Sequence, residues 1–274
     1  MKIQRLYDVS QKGYLETVLD IFLKNLAIAI PNVIIVGLTS IIVFAAYILG
    51  YLSMIGASFM VSSIREFPLS QPNIEKFFSR ISLMNITFIL MMLGLIAIVA
   101  LIMVIIYAIA HGMMADMSLD AVIRGYTNLS KSFGVAKDNL IKLILVNLAE
   151  FFIIGLSLLP TLILLFVYPP LAIISILLPV LVGLVVGFLF MASPIFVVMG
   201  YGVIDSLKES ADAMMKTFSL RMEVIIGIIV AFVISWIVSI LGVLTIPFIY
   251  VLLAYYIVHD LKKLPPPPQE GLLI

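Results

Sequence analysis

Long apolar runs alternate along this chain with shorter stretches whose apolar residues recur at three- and four-residue spacing. The long runs cover residues 26–52, 84–110, 141–167, 171–198, 224–241 and 244–258. A helix needs about 20 apolar residues to cross a hydrocarbon core of roughly 30 Å, so the pattern predicts an all-α, polytopic bundle of six spans. Residues 224 to 258 hold no charge, and two spans with a turn fit there only tightly. Gly242 and Pro247 favour a break. The competing reading is one long tilted helix, which gives five spans and puts the C-terminus outside.

The shorter stretches are amphipathic. Apolar residues recur at Leu15, Val18, Leu19, Phe22 and Leu26; at Leu119, Val122, Ile123, Tyr126 and Phe133; and at Ile204, Leu207, Ala211, Met214, Met215 and Phe218. This spacing predicts helices over 11–24, 118–133 and 203–218, each with one apolar stripe. Asp212 and Lys216, four apart with the acid first, support the third. Each helix precedes spans one, three and five. It either lies in the membrane interface or extends the span that follows.

The second and third stretches also match without a gap at an offset of 85 residues. Asp120 falls on Asp205, Lys131 on Lys216, Phe133 on Phe218 and Asp138 on Glu223. The chain therefore reads as a single membrane domain over 1–263, built from units 9–110, 118–198 and 203–260, with a Pro-rich tail over 264–274. Residues 53–83 form the long connection on the far side, with Pro68, Ser70, Gln71 and Pro72 predicting a loop at its centre. Tyr168-Pro169-Pro170 predicts a tight turn, and Pro265 to Pro268 a short polyproline segment.

The succession of amphipathic helix and span pair, closed by Tyr256-Ile257-Val258-His259-Asp260-Leu261-Lys262, resembles a group of prokaryotic six-span membrane families. It includes the membrane domain named after glycerophosphoryl diester phosphodiesterases and related archaeal and bacterial families. The last span of these proteins commonly ends in a Tyr-Arg-Asp-Leu-like string; here His259 stands where the Arg would be. Some relatives carry a catalytic barrel fused to the membrane domain, for which this chain has no room. The resemblance therefore implies a membrane module of unassigned activity and not an esterase.

Composition agrees with the pattern. The chain is 64% hydrophobic and 11% charged, with a mean hydropathy of +1.26, against about 25% charged in soluble domains. The net charge of +1 gives no field for nucleic acid. There are no cysteines, which excludes disulfides and thiolate chemistry. The first 25 residues are too polar for the apolar core of a cleavable signal. Of the 16 Lys and Arg, only Arg65, Lys76 and Arg80 fall on one face of the predicted topology. The rest mark the other face as cytoplasmic, with both termini inside the cell.

The inventory of chemistry is short. Phosphate-binding glycine loops, zinc-protease signatures and nucleophile elbows are missing from the sequence. His111 and His259, one near each of two span ends, are too few for a catalytic zinc site. Met113, Met114 and Met117 follow His111 and suit Cu(I) in type, but methionine is also an ordinary apolar filler. The reading carries no metal, no cofactor and no enzyme activity. Glu150 is the one charged-type residue deep in a span. A carboxyl in hydrocarbon is costly and should face the bundle interior. Asn147 lies one turn earlier, and Ser235 and Ser239 in the fifth span are its expected partners. These four form the candidate intramembrane polar site, either a polar clamp or a proton or cation site. The expected function is a non-catalytic integral membrane module, a scaffold or subunit whose partners are the lipid bilayer and another membrane protein or a second copy. The alternative is a transporter or channel for a small solute, ion or lipid.

Overall fold

The computed structural model describes residues 13–65, 71–167, 171, 174–238 and 241–264. Among them every regular element is a helix: α1 (Tyr14–Lys24), α2 (Ile30–Arg65), α3 (Gln71–Arg124), α4 (Leu129–Asp138), α5 (Leu140–Ser157), α6 (Leu159–Val167), α7 (Leu177–Phe190), α8 (Ser193–Val198), α9 (Val203–Leu220), α10 (Met222–Ile237) and α11 (Gly242–His259). A lipid-facing backbone must satisfy its own hydrogen bonds, and a helix does so within one segment. Among the described residues four stretches are long and apolar enough to cross a membrane: Ile98–Arg124, Leu140–Leu164, Leu177–Val198 and Gly242–His259. Two bent pairs bring the number to six if each is one span. They are α1 with Leu26–Ile42, bent by 80°, and α9 with α10, bent by 105°. The protein is an all-α membrane bundle of four to six spans.

Contacts group the chain into two compact units. One comprises Met1–Ile34 with Tyr107–Ile274, and the other Ile35–Ile106. The smaller unit consists of the distal part of α2 and the proximal part of α3. The loop expected at the centre of the 53–83 connection falls mostly on residues 66–70, outside the described residues, but Gln71 and Pro72 are helical. Helix continues to Arg65 and resumes at Gln71. Pro72 is compatible because it falls in the first turn, where its missing N–H has no intrahelical partner anyway. Pro68 and Ser70 lie outside the described residues.

The larger unit is organised around α11. Val251, Leu252, Leu253, Ala254, Tyr256 and Ile257 are fully or almost fully buried, as expected for a helix that is apolar all round and sits inside a bundle. Helix α10 packs along it as a hairpin. The chain turns between Ile237 and Gly242, and Thr245 Oγ1 donates to the Ala231 carbonyl at 3.4 Å. One long helix through this region is therefore excluded. Helix α1 and the start of α2 pack on the same helix. Tyr14 meets Tyr255 with ring centroids 5.1 Å apart, Phe22 meets Phe248 at 5.8 Å, and Asn32 Nδ2 donates to the Val243 carbonyl at 2.7 Å. These contacts run in order, so α1 descends antiparallel along α11.

The amphipathic segments are helical, but one of them is divided. Residues 118–124 continue α3, the chain leaves the helix at Gly125 (φ 82°), and α4 starts at Leu129. Asn128 caps α4 by accepting from the Lys131 amide at 3.0 Å. Residues 203–220, by contrast, form one unbroken helix. The gapless 85-residue match thus places non-helical residues 125–128 opposite helical 210–213. Nor do the matched charges behave alike: Lys131 reaches across to Asp120 at 2.6 Å, whereas Lys216 pairs within its own helix with Asp212 at 2.6 Å. The signal that does recur is a Gly-Tyr pair just before each amphipathic helix: Gly13-Tyr14, Gly125-Tyr126 and Gly200-Tyr201. Gly200, like Gly125, adopts a positive φ, here 98°, which only glycine enters without strain.

Candidate functional site: polar bridges inside the bundle and a charged clasp at its end

Helix α5 carries Asn147 and Glu150 one turn apart, both half-buried. The break between α7 and α8 supplies Glu150's partner. Ser193 is fully buried in the first turn of α8, where Pro194 also sits. Its Oγ lies 2.6 Å from the Phe190 carbonyl oxygen and 3.2 Å from Glu150 Oε1. One hydroxyl proton cannot fully serve both acceptors. With that proton on Phe190, the second contact is complete when the carboxyl itself donates to Ser193.

A second polar pair involves Tyr250, which is buried on α11. The Tyr250 hydroxyl is 2.8 Å from His111 Nδ1 on α3, and the rings meet edge to face at 5.7 Å. Tyr107, one turn before His111, stacks obliquely on the imidazole at 6.0 Å. Side chains from α3, α5, α8 and α11 therefore form two polar bridges inside the bundle. Tyr250 and Asp260 are ten residues apart, as are Leu140 and Glu150. At ~1.5 Å per residue, Glu150 and Tyr250 each lie about 15 Å along their helices from these residues.

The expected partners of Glu150 need correction. Ser235 packs at the α10–α11 turn, where its Oγ would lie 2.9 Å from a Cβ placed on Gly242; the carboxyl is held by Ser193 instead. Ser239 lies outside the described residues. Ser193 and Tyr250 carried a modest signal in the sequence, each being a hydroxyl within an apolar run. Met114 and Met117 are fully buried in the core around α11, and Met113 is nearly so. His259 stacks on Tyr255 with centroids 4.3 Å apart. Among the described residues no cluster of three His, Asp or Glu side chains has the makings of a metal site.

The second feature lies at the end of α11. Asp260 accepts from Arg221 Nε at 2.7 Å and from the Tyr14 hydroxyl at 3.1 Å, while the Arg221 guanidinium lies over the Tyr14 ring at 5.3 Å. One carboxylate thus ties together the start of α1, the elbow between α9 and α10, and the end of α11. These residues lie outside the four straight spans. Burial, followed by the nearby Asp260 charge and hydrogen bond, pushes the Tyr14 phenol far above its ordinary value. The bond to Asp260 raises Arg221. Two residues on, Lys262 adopts the left-handed conformation (φ 53°). That turn brings Lys263 onto Glu209 of α9 and over the Phe196 ring at 5.3 Å. Tyr256 adds a hydrogen bond to the Ala213 carbonyl of α9 at 3.3 Å.

A third cluster joins α3 to α4. Asp116 and Asp120 are buried. Ser132 Oγ donates to Asp116 at 2.7 Å, Lys131 pairs with Asp120, and Arg124 approaches Asp120 at 3.4 Å. Buried carboxylates require such compensation.

The fold and these sites define an all-α integral membrane protein whose interior polar groups bridge helices. No family model, characterised protein or solved structure matches the chain.

Proposed function

We propose that this protein is a non-catalytic integral membrane module, a scaffold or subunit of a membrane assembly, with six spans in the cell membrane and both ends in the cytoplasm. One observation carries the reading: the interior polar groups engage neighbouring helices pairwise. Ser193 meets Glu150, His111 meets Tyr250, Asn32 holds the Val243 carbonyl and Tyr256 holds the Ala213 carbonyl. Such pairs join helices, whereas conduction of a hydrophilic solute needs a lined pathway. The orientation is supported by the cationic excess on one predicted face. The closing Tyr256-to-Lys262 string, whose Asp260 is the centre of the clasp, accords with the resemblance to prokaryotic six-span families.

A transporter is the second reading, favoured by the titratable side chains Glu150, Tyr250 and His111 within the apolar helices of the bundle. The deciding experiment is purification from the native host in mild detergent, followed by identification of co-purifying proteins and by flux assays in reconstituted vesicles. The module reading expects a stable companion or oligomer and no flux. A lone monomer whose vesicles move a solute in a Glu150-dependent manner overturns it.

A further inference from the structure

Helix α9 carries three stripes. Ser206, Ser210, Ala213 and Thr217, at four- and three-residue spacing, are buried against the bundle. Their hydroxyls are satisfied: Ser206 and Thr217 donate to carbonyls of their own segment, and Ser210 donates to the Leu189 carbonyl and accepts from the Ala192 amide. Asp205, Lys208, Asp212 and Lys216 form a second stripe, which is exposed. The third is apolar, and its Ile204, Met215 and Phe218 are 67, 65 and 59% exposed. A surface helix ordinarily turns its apolar stripe to the core. This one buries its small residues and presents large apolar side chains outwards, beside its charges.

The apolar stripe continues onto neighbouring helices. The Phe218 ring rests on Phe188 of α7 with centroids 5.8 Å apart. Three, four and seven residues before Phe188, on the same face of α7, Val185, Leu184 and Leu181 are exposed. Past Arg221, where the chain bends by 105°, Ile226, Ile229 and Val233 are exposed on α10. Helix α4 repeats the arrangement. Ser132 and Ala136 are buried, Leu129 and Phe133 face outwards, and past Asn139 the exposed row continues on α5 with Ile141, Leu145 and Leu148. Phe133 is the residue that matches Phe218 at the 85-residue offset.

This distribution says what covers the stripe. Charge runs along α4 and α9 and stops where they end. Helix α7 has none, α10 has none after Glu223, and α5 has after Lys142 only Glu150, which meets Ser193. The exposed apolar surface that follows extends over three helices, and two of them, α5 and α7, lie in stretches able to cross a membrane. A docked protein would cover one side of such a surface, whereas hydrocarbon covers all of it. The charged stripe beside Phe218 needs water or headgroups. The edge of a bilayer offers both in that order, and amphipathic helices seat themselves there.

We propose that α4 and α9 lie in the headgroup–acyl boundary of the bilayer, anchored in its apolar part by Phe133 and Phe218. The proposal deepens the module reading by naming its lipid-contacting surface, and it rests only on the membrane character of the bundle.

The test reads depth from tryptophan fluorescence in the full chain, reconstituted in vesicles of phosphatidylcholine brominated either near the headgroup or near the chain ends. Trp236→Phe removes the one native tryptophan, and Phe133→Trp and Phe218→Trp are placed singly in that background. The expected result is quenching of both, several-fold stronger with bromine near the headgroup. Leu184→Trp, within α7, should show the reverse order, and Asp212→Trp, on the charged stripe, no quenching by chain-end bromine. Leu129→Trp and Met215→Trp serve as the reporters if the phenylalanine variants do not fold. A folded reporter on α4 or α9 that neither lipid quenches, or that chain-end bromine quenches more, overturns the proposal. Solute flux by vesicles that show the expected depths would remove the module reading and leave the placement of α4 and α9 standing.

Discussion

Arg221 donates from Nε to Asp260 Oδ1 at 2.7 Å and so fastens the first residue before α10 to the residue that ends α11. The same carboxylate accepts from Tyr14, which adds the start of α1 to the joint. Asp260→Asn keeps the shape and removes the charge. A hydrogen bond to a charged group contributes about 1.5–3 kcal/mol, and the half-exposed Arg221 places the loss at the lower end. The expected result is a lower melting temperature in detergent, with Asp260→Ala worse than Asp260→Asn. An unchanged melting temperature for Asp260→Ala would show that the clasp contributes nothing.

Tyr14 gives this joint an alkaline limit. Its phenol is raised above the ordinary 10.0 by burial and by Asp260. A group whose folded value is raised stabilises fully below its unfolded value and loses that contribution as pH climbs above it. Stability from Tyr14 should therefore be complete up to about pH 10 and fall beyond it. Thermal unfolding of the native chain and Tyr14→Phe at several alkaline pH values should show their difference shrinking above that point. A constant difference would refute the linkage.

Glu150→Gln retains a donor for Ser193 and should leave the fold and expression level intact. Glu150→Leu removes this contact, while Ser193 keeps its bond to the Phe190 carbonyl, and should destabilise the bundle by about 0.5–1.5 kcal/mol. Size-exclusion profiles and melting curves in detergent separate the two. If both variants behave like the native protein, the contact is incidental.

Gly112 is a point of close approach. A Cβ there would lie 2.5 Å from Leu143 Cδ1 and 3.1 Å from Ala136 Cβ, both side chains being buried. Gly112→Ala should cost about 1–3 kcal/mol through overpacking, despite the better helix propensity of alanine. The opposite sign would mean that α4 and α5 yield readily.

Topology can be tested cleanly because the chain has no cysteine of its own. A cysteine added after Ile274 should be reached only by a reagent that enters the cell. Labelling by an impermeant reagent would place the C-terminus outside and remove the sixth span.

Sequence alone determined that this protein lives in a bilayer, that it is helical, and that Glu150 lies within a span. Those properties follow from local quantities, namely apolar run length, helical period and the cost of a carboxyl in hydrocarbon. The break near Gly242 was also legible, since turn residues act on their own backbone. What tertiary structure decided is which polar groups meet. Ser193 is 43 residues from Glu150, Tyr250 is 139 from His111, and Asp260 is 246 from Tyr14. No periodicity spans such separations. The direction of α1 was hidden for the same reason. Its apolar stripe suits a membrane surface or a protein face equally well. Tyr255 and Phe248, presented in order along α11, set its course.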